Sequence, residues 1–288
     1  MKALENKKAI CIFVLPAILV YTCMVFIPIA FSLALSLFKW DGIGGAKFVE
    51  FSNYLLLKND AVFLQSLVNN LIYVLIVVSV QILFGFVVAI LLTYLKRGRG
   101  FVQTVYFIPS VITVIAIAQL FRSFYSSTPV GLINGILIAM GQHPHAFLSE
   151  FATVLPSVSA VEGWQYIGIY MIIFFSALVS VPADVENAAR IDGANELQLM
   201  WRIKVPYVKN VIGLSLILSL VGALKGFAVP YNLTNGGPSH HSELLSTYLY
   251  KVAFSNQQYG YGSAIAVVIM LLSLTGVLLI NGRFYERE

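Results

Sequence analysis

Long runs of apolar residues, separated by short polar stretches, dominate this chain. A helix that crosses a bilayer needs about 20 predominantly apolar residues. Six runs are long enough, and they cover residues 9–38, 66–95, 101–121, 157–180, 208–230 and 263–281. The pattern predicts an all-α membrane protein with a bundle of six transmembrane helices. A seventh apolar run, Gly131 to Gly141, is too short to cross, and we expect a short interfacial or re-entrant helix there, on the outer side.

The composition supports lipid as the main solvent of this chain. Hydrophobic residues make up 59% of it and charged residues only 11%, whereas about 25% of the residues in soluble domains are charged. We expect no soluble domain within these residues. We therefore expect one transmembrane domain over residues 1–288, with a core at about 66–281. Nucleic-acid binding is not expected, because no basic stripe follows any one element.

The positions of lysine and arginine predict the orientation, since these residues concentrate in cytoplasmic loops. With both ends inside, twelve of the 18 fall on the inner side and six on the outer side or outer span ends. The inner set is Lys2, Lys7, Lys8, Lys96, Arg97, Arg99, Arg190, Arg202, Lys204, Lys209, Arg283 and Arg287. The outer set is Lys39, Lys47, Lys58, Arg122, Lys225 and Lys251. We predict that both termini are cytoplasmic.

A cleaved signal peptide is the alternative interpretation of the first apolar run. The triplet Ala34-Leu35-Ser36 has the small-x-small pattern of a cleavage site. However, the run is far longer than the 7–15-residue apolar core of a signal peptide. We therefore expect an uncleaved first helix.

The polar segment between the fourth and fifth runs, residues 182–206, is the longest predicted inner loop. Ser180 is a plausible helix cap, and Pro182 suits a first helical turn. Gly193 can end or turn the helix. By physical reasoning alone, an amphipathic surface helix that merely joins two spans explains the segment equally well.

The spacing of residues in this loop resembles the EAA loop of bacterial ABC import permeases. That pattern is Glu-Ala-Ala, three residues, Gly, nine residues, Ile, any residue and Leu-Pro. Ala188, Ala189, Gly193, Ile203 and Pro206 match it. The run Ile191 to Ala194 and the later run Leu233 to Pro238 are similar to the carbohydrate branch, the maltose and multiple-sugar permease family. The sequence departs at Asn187, which stands at the Glu position next to Glu186, and at Val205, which stands at the Leu position.

The resemblance implies a transport subunit that is not itself an enzyme. It would pair with a second homologous permease as a heterodimer, and with two cytoplasmic ABC ATPases and an extracellular or periplasmic solute-binding protein, in the bacterial plasma membrane. ATP and Mg would be held by the ATPase, and no cofactor is expected on this chain, which has no Gly-Lys dipeptide and hence no Walker A motif. The residues expected to couple the chain to the ATPase are Glu186, Asn187, Ala188, Ala189, Asp192, Gly193, Ala194 and Pro206, with the coupling helix over Asn187–Ala194.

Polar and aromatic residues within or beside the spans are candidates for a sugar path, because buried polar groups in membranes usually face a cavity. The candidates are Gln119, Glu162, Trp164, Lys225, Phe227, Tyr231 and Asn232. For Lys225, snorkelling towards the interface or an ion pair with Glu162 is an alternative. For the aromatic residues, the alternative is the interfacial belt.

No catalytic or metal site is expected. His240 and His241 lack further ligands at a suitable spacing, and we expect them to be solvated loop residues. The remaining functional alternatives are an ABC permease for another solute, such as glycerol phosphate, or a secondary transporter driven by an ion gradient.

Overall fold

The computed structural model describes residues 7–284, with side chains from Ile12 onward. The chain forms two compact units. The first unit contains the described residues up to Asp60 together with Leu249–Met270. The second contains Ala61–Tyr248 together with the described residues from Leu271 onward. Two of the residues used to predict the orientation, Lys2 and Arg287, lie outside the described residues. Lys7 and Lys8 are described by their backbone only.

The first unit begins with a long apolar helix and continues into a small hairpin. Its elements are α1 (Lys7–Tyr21), a π-helical turn (Thr22–Phe26), α2 (Ile27–Leu35), β1 (Phe38–Lys39), β2 (Lys47–Phe48) and α3 (Ser52–Asn59). None of the most apolar part of Ile12–Leu35 is buried within the chain. A helix that is apolar all round and unpacked is suited to lipid or a partner helix.

The antiparallel pair of β1 and β2 is a small departure from the predicted all-α fold. Phe38 faces Phe48 across the pair, and Lys39 faces Lys47. The loop between the strands can turn because Gly42 and Gly44 have φ of 90° and 79°, values that favour glycine.

The second unit is a helical bundle. Its elements are α4 (Ala61–Tyr94), α5 (Arg99–Val111), α6 (Val114–Tyr125), α7 (Leu132–Ala139), α8 (Val154–Val179), α9 (Ala183–Ile191), α10 (Glu196–Gln198), a π-helical turn (Leu199–Lys204), α11 (Val205–Tyr207), α12 (Lys209–Leu224) and α13 (Ala228–Thr234). The chain changes from the second unit to the first within α14 (Leu245–Tyr250) and back within α15 (Tyr259–Phe284), and a π-helical turn (Lys251–Ser255) follows α14 in sequence.

α8 is the central helix of this bundle, with α4 as its most extensive partner. Glycines allow close approach. A Cβ atom at Gly85 of α4 would lie 2.9 Å from the Cβ atom of Tyr170, and one at Gly168 of α8 would lie 2.1 Å from the carbonyl oxygen of Tyr106 in α5. Small residues at such crossings bring backbones together, which is the usual source of stability between helices in lipid.

The described residues contain four helices long and apolar enough to cross a membrane, or up to six if each of two bent pairs is one span. The predicted third span is not continuous, because α5 and α6 meet at 99°. Ile112 and Thr113, which join them, are both extended (ψ 140°). The predicted fifth span is also broken. A bend of 64° separates α12 from the helical stretch Glu196–Tyr207 before it. α12 then ends at Leu224, and α13 begins only at Ala228.

The Gly-Gly-Pro segment after α13 is an ordered loop held against α4. Asn69 Nδ2 donates to the carbonyl oxygens of His240 and Glu243, at 2.9 and 3.0 Å. Asn70 Oδ1 accepts from the Leu245 amide at 3.2 Å. Both asparagines lie in the second predicted span, and their buried amides are used to hold this loop.

Candidate coupling segment and transport cavity

The segment between α8 and α12 begins with α9, a helix whose charges suit its dipole. Asp184 and Glu186 lie in its first turn and Arg190 in its last. Acidic groups at the N-terminus and basic groups at the C-terminus each stabilise a helix by about 0.3–1 kcal/mol. The helix covers Ala183–Ile191, so it begins four residues earlier than the predicted Asn187–Ala194. Pro182 is its N-cap, whereas Ser180, the predicted cap, instead ends α8.

α9 ends in a Schellman motif centred on Gly193. The Ala194 amide donates to the Ala189 carbonyl at 2.9 Å, and the Gly193 amide donates to the Arg190 carbonyl at 3.1 Å. Gly193 has φ of 85°. This is the left-handed conformation that the motif requires and that glycine adopts without a steric penalty. The predicted turn at Gly193 is confirmed.

A capping box fixes the direction of the chain after this turn. Asn195 Oδ1 accepts from the Gln198 amide at 2.8 Å, and Gln198 Oε1 accepts from the Asn195 amide at 3.0 Å. The reciprocal bonds satisfy amides that a helix start would otherwise leave unpaired. They start the stretch that leads through α10 and the π-helical turn to α11.

Two ion pairs connect α9 to this stretch. Lys204 Nζ lies 2.7 Å from Glu186 Oε1, and both side chains are largely shielded from solvent. Arg190 pairs with Glu196 across the Gly193 turn, at the exposed surface. The hydrogen bond from Arg190 lowers the pKa of Glu196, and the carboxylate raises the pKa of Arg190 in return. α9 is therefore clamped at two points.

The segment is also anchored in the apolar core of the second unit. Met200 of the π-helical turn and Val208 are buried in one cluster with Leu92 of α4 and Leu178 of α8. Ala189 is the buried residue of α9. A displacement of α9 would therefore be passed to the bundle through packed side chains and ion pairs.

Other side chains of the segment remain exposed. Ile191 is 86% exposed and Leu197 is 69% exposed, and Asn187, Ala188, Asp192 and Pro206 are also exposed. Neither the exposure of Ile191 and Leu197 nor the ion pairs of Lys204 and Glu196 was predicted from the sequence. The ion pairs could not be predicted from the spacing of these residues in the sequence, because they arise from the turn at Gly193.

A cavity of about 250 Å³ lies among α4, α8 and α12. It is lined by Gln81, Glu162, Tyr166, Tyr170 and Ser219, among others. Gln81 is only 4% exposed. Its Oε1 atom accepts from Ser219 Oγ at 2.6 Å, and its Nε2 atom donates to the Glu162 carbonyl oxygen at 3.4 Å. The cavity therefore presents hydroxyl, amide and carboxyl groups between aromatic rings.

Of the seven residues predicted to line a sugar path, the structure brings Glu162 alone to this cavity. Gln119 is exposed on α6, and Trp164 packs edge-on against Phe121, with ring centroids 5.2 Å apart. Phe227 and Tyr231 stack on each other at 4.9 Å. Asn232 Nδ2 donates to its own helix at the Ala228 carbonyl, at 2.8 Å.

The structure also places Lys225 and the two histidines. Lys225 is exposed at the end of α12, and within the described side chains no carboxylate lies within 4.0 Å of its amine, so it forms no ion pair with Glu162 there. His240 and His241 were predicted to be solvated loop residues, and both lie in the loop after α13, where His240 is exposed and His241 is half-buried. His241 stacks on Phe151 at 4.2 Å, and His240 Nδ1 lies 3.1 Å from the buried Glu243 carboxylate.

Comparison with known proteins decides the family. A family model described as "Binding-protein-dependent transport system inner membrane component" matches residues 96–287. The chain belongs to this family. The predicted role in transport and the predicted location in the inner membrane are therefore confirmed. The matched region contains the α9 segment and most of the residues that line the cavity.

Relatives extend the similarity over nearly the whole of this inner membrane component. The probable ABC transporter permease protein YurN of Bacillus subtilis (strain 168) is 37% identical over 287 residues, covering 98% of this chain and 97% of that protein. The alpha-glucoside transport system permease protein AglF of Rhizobium meliloti (strain 1021) is 32% identical over 283 residues, covering 96% of this chain and 82% of that protein.

A solved structure has the same fold. The chain is similar to one in the crystal structure of a bacterial alginate ABC transporter in complex with an alginate pentasaccharide-bound periplasmic protein. The TM-score is 0.82 at 22% identity, with 97% of this chain and 95% of that chain covered. The predicted fold class of an ABC importer permease is therefore confirmed. Membership of the binding-protein-dependent family, shown by the family model, argues against an ion-coupled secondary transporter.

Proposed function

We propose that this chain is the transmembrane subunit of an ABC importer for oligosaccharides, driven by ATP hydrolysis on separate subunits. Permeases with related sequences or folds act on such solutes by name, namely alpha-glucosides and alginate. The lining of the cavity among α4, α8 and α12, rather than its volume, supports this substrate class, because it combines hydroxyl and amide groups with the rings of Tyr166 and Tyr170. Sugar hydroxyls need both donors and acceptors, and Gln81 supplies both from one side chain.

The exposed Ile191 carries the proposal for coupling. A large apolar side chain that is 86% exposed on a short amphipathic helix is suited to a partner's groove. The same helix is held by the Glu186–Lys204 pair and leads to the buried Met200. We propose that a cytoplasmic ATPase binds α9 here, so that closure of the ATPase pair moves the bundle.

In this assignment, Asn187, Ala188, Asp192 and Ile191 contact the ATPase, and Glu186 acts from within the chain by holding Lys204. Glu186 therefore does not replace the missing motif glutamate as a contact. Gly193, Ala194 and Pro206 shape the segment. The complete importer has a second homologous permease, two ATPases that hold ATP and Mg, and a solute-binding protein on the outer side, with both termini of this chain inside.

Cross-linking tests the coupling interface. With Cys11 and Cys23 replaced by serine, an Ile191→Cys chain in the assembled importer should form a cross-link to an ATPase subunit with a short bifunctional thiol reagent. The exposed Arg283→Cys is the matched control at another predicted inner position. A cross-link that forms equally at both positions, or at neither, would contradict the assignment.

Uptake tests the substrate class. Proteoliposomes with the full importer and its solute-binding protein should accumulate labelled neutral oligosaccharides only with ATP inside. The Gln81→Leu variant should lose uptake while the complex still assembles. Uptake of glycerol phosphate in place of any sugar would contradict the carbohydrate assignment.

A further inference from the structure

A second and larger cavity lies in the first unit. Its volume is about 690 Å³, within the usual range of about 300–1,000 Å³ for small-molecule sites. The β1–β2 hairpin, α3 and the region around the start of α15 enclose it. No part of the transport mechanism described above uses this cavity, and its walls are rich in polar groups.

The charges on the wall balance. Lys39 and Lys47 line the cavity and are direct partners across the β pair. Like charges at such positions destabilise a sheet, so this arrangement needs compensation. Asp41 and Asp60 line the same cavity. Two cations and two carboxylates give no net preference for a charged ligand, but they offer strong hydrogen bonds to hydroxyl groups.

Aromatic rings on the wall are held in place. Trp40 lies beside Tyr259, with ring centroids 5.6 Å apart, and its indole nitrogen donates to the Gly44 carbonyl at 3.2 Å. Gly42 leaves room for Tyr259, because a Cβ atom there would lie 2.7 Å from the ring. Tyr261 also lines the cavity, and its hydroxyl donates to Asp60 at 2.6 Å.

Amide side chains complete the lining. Asn59, Gln257 and Gln258 reach the cavity, and all three are exposed. Each amide has both donors and an acceptor. A fixed indole beside donor and acceptor groups suits a ligand that has C–H faces and many hydroxyl groups.

We infer that this cavity is a second carbohydrate site, which binds a neutral oligosaccharide apart from the transport cavity. The inference rests on the proposed function only for the class of ligand, which is a carbohydrate. A protein partner fits the cavity less well, because the centres of protein interfaces are depleted in charged residues, and this small concave wall has four of them.

Lysine acetylation tests the site in the assembled importer, held in lipid nanodiscs without nucleotide. The probes are maltotriose, cellotriose and xylotriose, with trigalacturonate as the anionic comparison. At a sugar concentration ten times the Kd, acetylation of Lys39 and Lys47 should slow about tenfold. Lys58, which is exposed on α3 and does not line the cavity, is the internal control and should react at an unchanged rate.

Variants make the result specific. Trp40→Ala should weaken protection by the best neutral sugar at least about tenfold in Kd, and Lys47→Gln should also weaken it. Phe51→Ala, an exposed aromatic residue outside the cavity, should have no effect. Gln81→Leu should leave protection intact although it abolishes uptake, so unchanged uptake in this variant would count against the transport proposal and not against this site.

Three results would overturn the inference: protection by none of the neutral sugars, protection by trigalacturonate only, or protection by the solute-binding protein only. The last result would identify a protein-docking surface in place of a sugar site.

Discussion

Glu186 of α9 and Lys204 of the π-helical turn form an ion pair of 2.7 Å, although they lie 18 positions apart in the sequence. The contact exists because the chain reverses at Gly193 and the capping box at Asn195 directs it back. In the proposed mechanism, this pair makes α9 and the entrance to α12 move together.

Charge exchange at this pair should show whether it transmits movement. We expect Glu186→Lys and Lys204→Glu each to reduce ATP-driven uptake several-fold, because each places like charges in contact. The double exchange should restore most of it, with a coupling energy of about 1 kcal/mol. Uptake and ATPase rates of the reconstituted importer measure this. Equal loss in the single and double variants would show that the pair itself does not matter.

The Arg190–Glu196 pair predicts an effect of acid. The lowered pKa of Glu196 means that the pair stabilises the turn above the ordinary glutamate pKa, about 4.3, and that this contribution is lost as the pH falls through the lowered value. Hydrogen exchange at Ala194 should therefore show less protection in acid, after correction for intrinsic rates. Glu196→Gln should be less protected at neutral pH and should lack this transition. High salt should mimic acid, since both groups are exposed.

Substitution at Gly193 should act through backbone conformation. No atom lies within 4 Å of an added Cβ, but φ is 85°, so Gly193→Ala should cost about 1 kcal/mol of local stability. Gly193→Asn should cost less, because asparagine tolerates this conformation. Gly282→Ala, which also meets no atom within 4 Å and has no such φ, is the control. Protease sensitivity of the segment distinguishes them, and equal sensitivity of Gly193→Ala and Gly282→Ala would contradict the argument.

The hydrogen bond from Ser219 to Gln81 predicts a selective effect on transport. Ser219→Ala removes a bond of 2.6 Å worth about 1 kcal/mol, and it frees Gln81 at the cavity. We expect KM for uptake to change several-fold. Ser215→Ala is the matched control, because Ser215 is buried on the same helix and its hydroxyl has no hydrogen-bond partner among the described residues. If both variants behave alike, the cavity does not bind substrate.

The sequence by itself determined the membrane class and the fold family. Apolar runs longer than the bilayer requires can be explained only by lipid, and the spacing from Ala188 to Pro206 carried the family resemblance without any tertiary information. It also predicted the turn at Gly193, because local backbone sterics decide that conformation.

Only the tertiary structure decided which side chains meet. Residues as distant as Gln81 and Ser219 come together because α12 packs against α4 and α8, which themselves cross closely at Gly85, and no sequence period records that contact. The same reason explains why Glu162 reached the cavity while Lys225 and Trp164 did not. Hydropathy predicts that a polar residue in a span needs a partner. Which partner it meets is determined by the rotation of the helices and by their breaks, such as the 99° bend between α5 and α6.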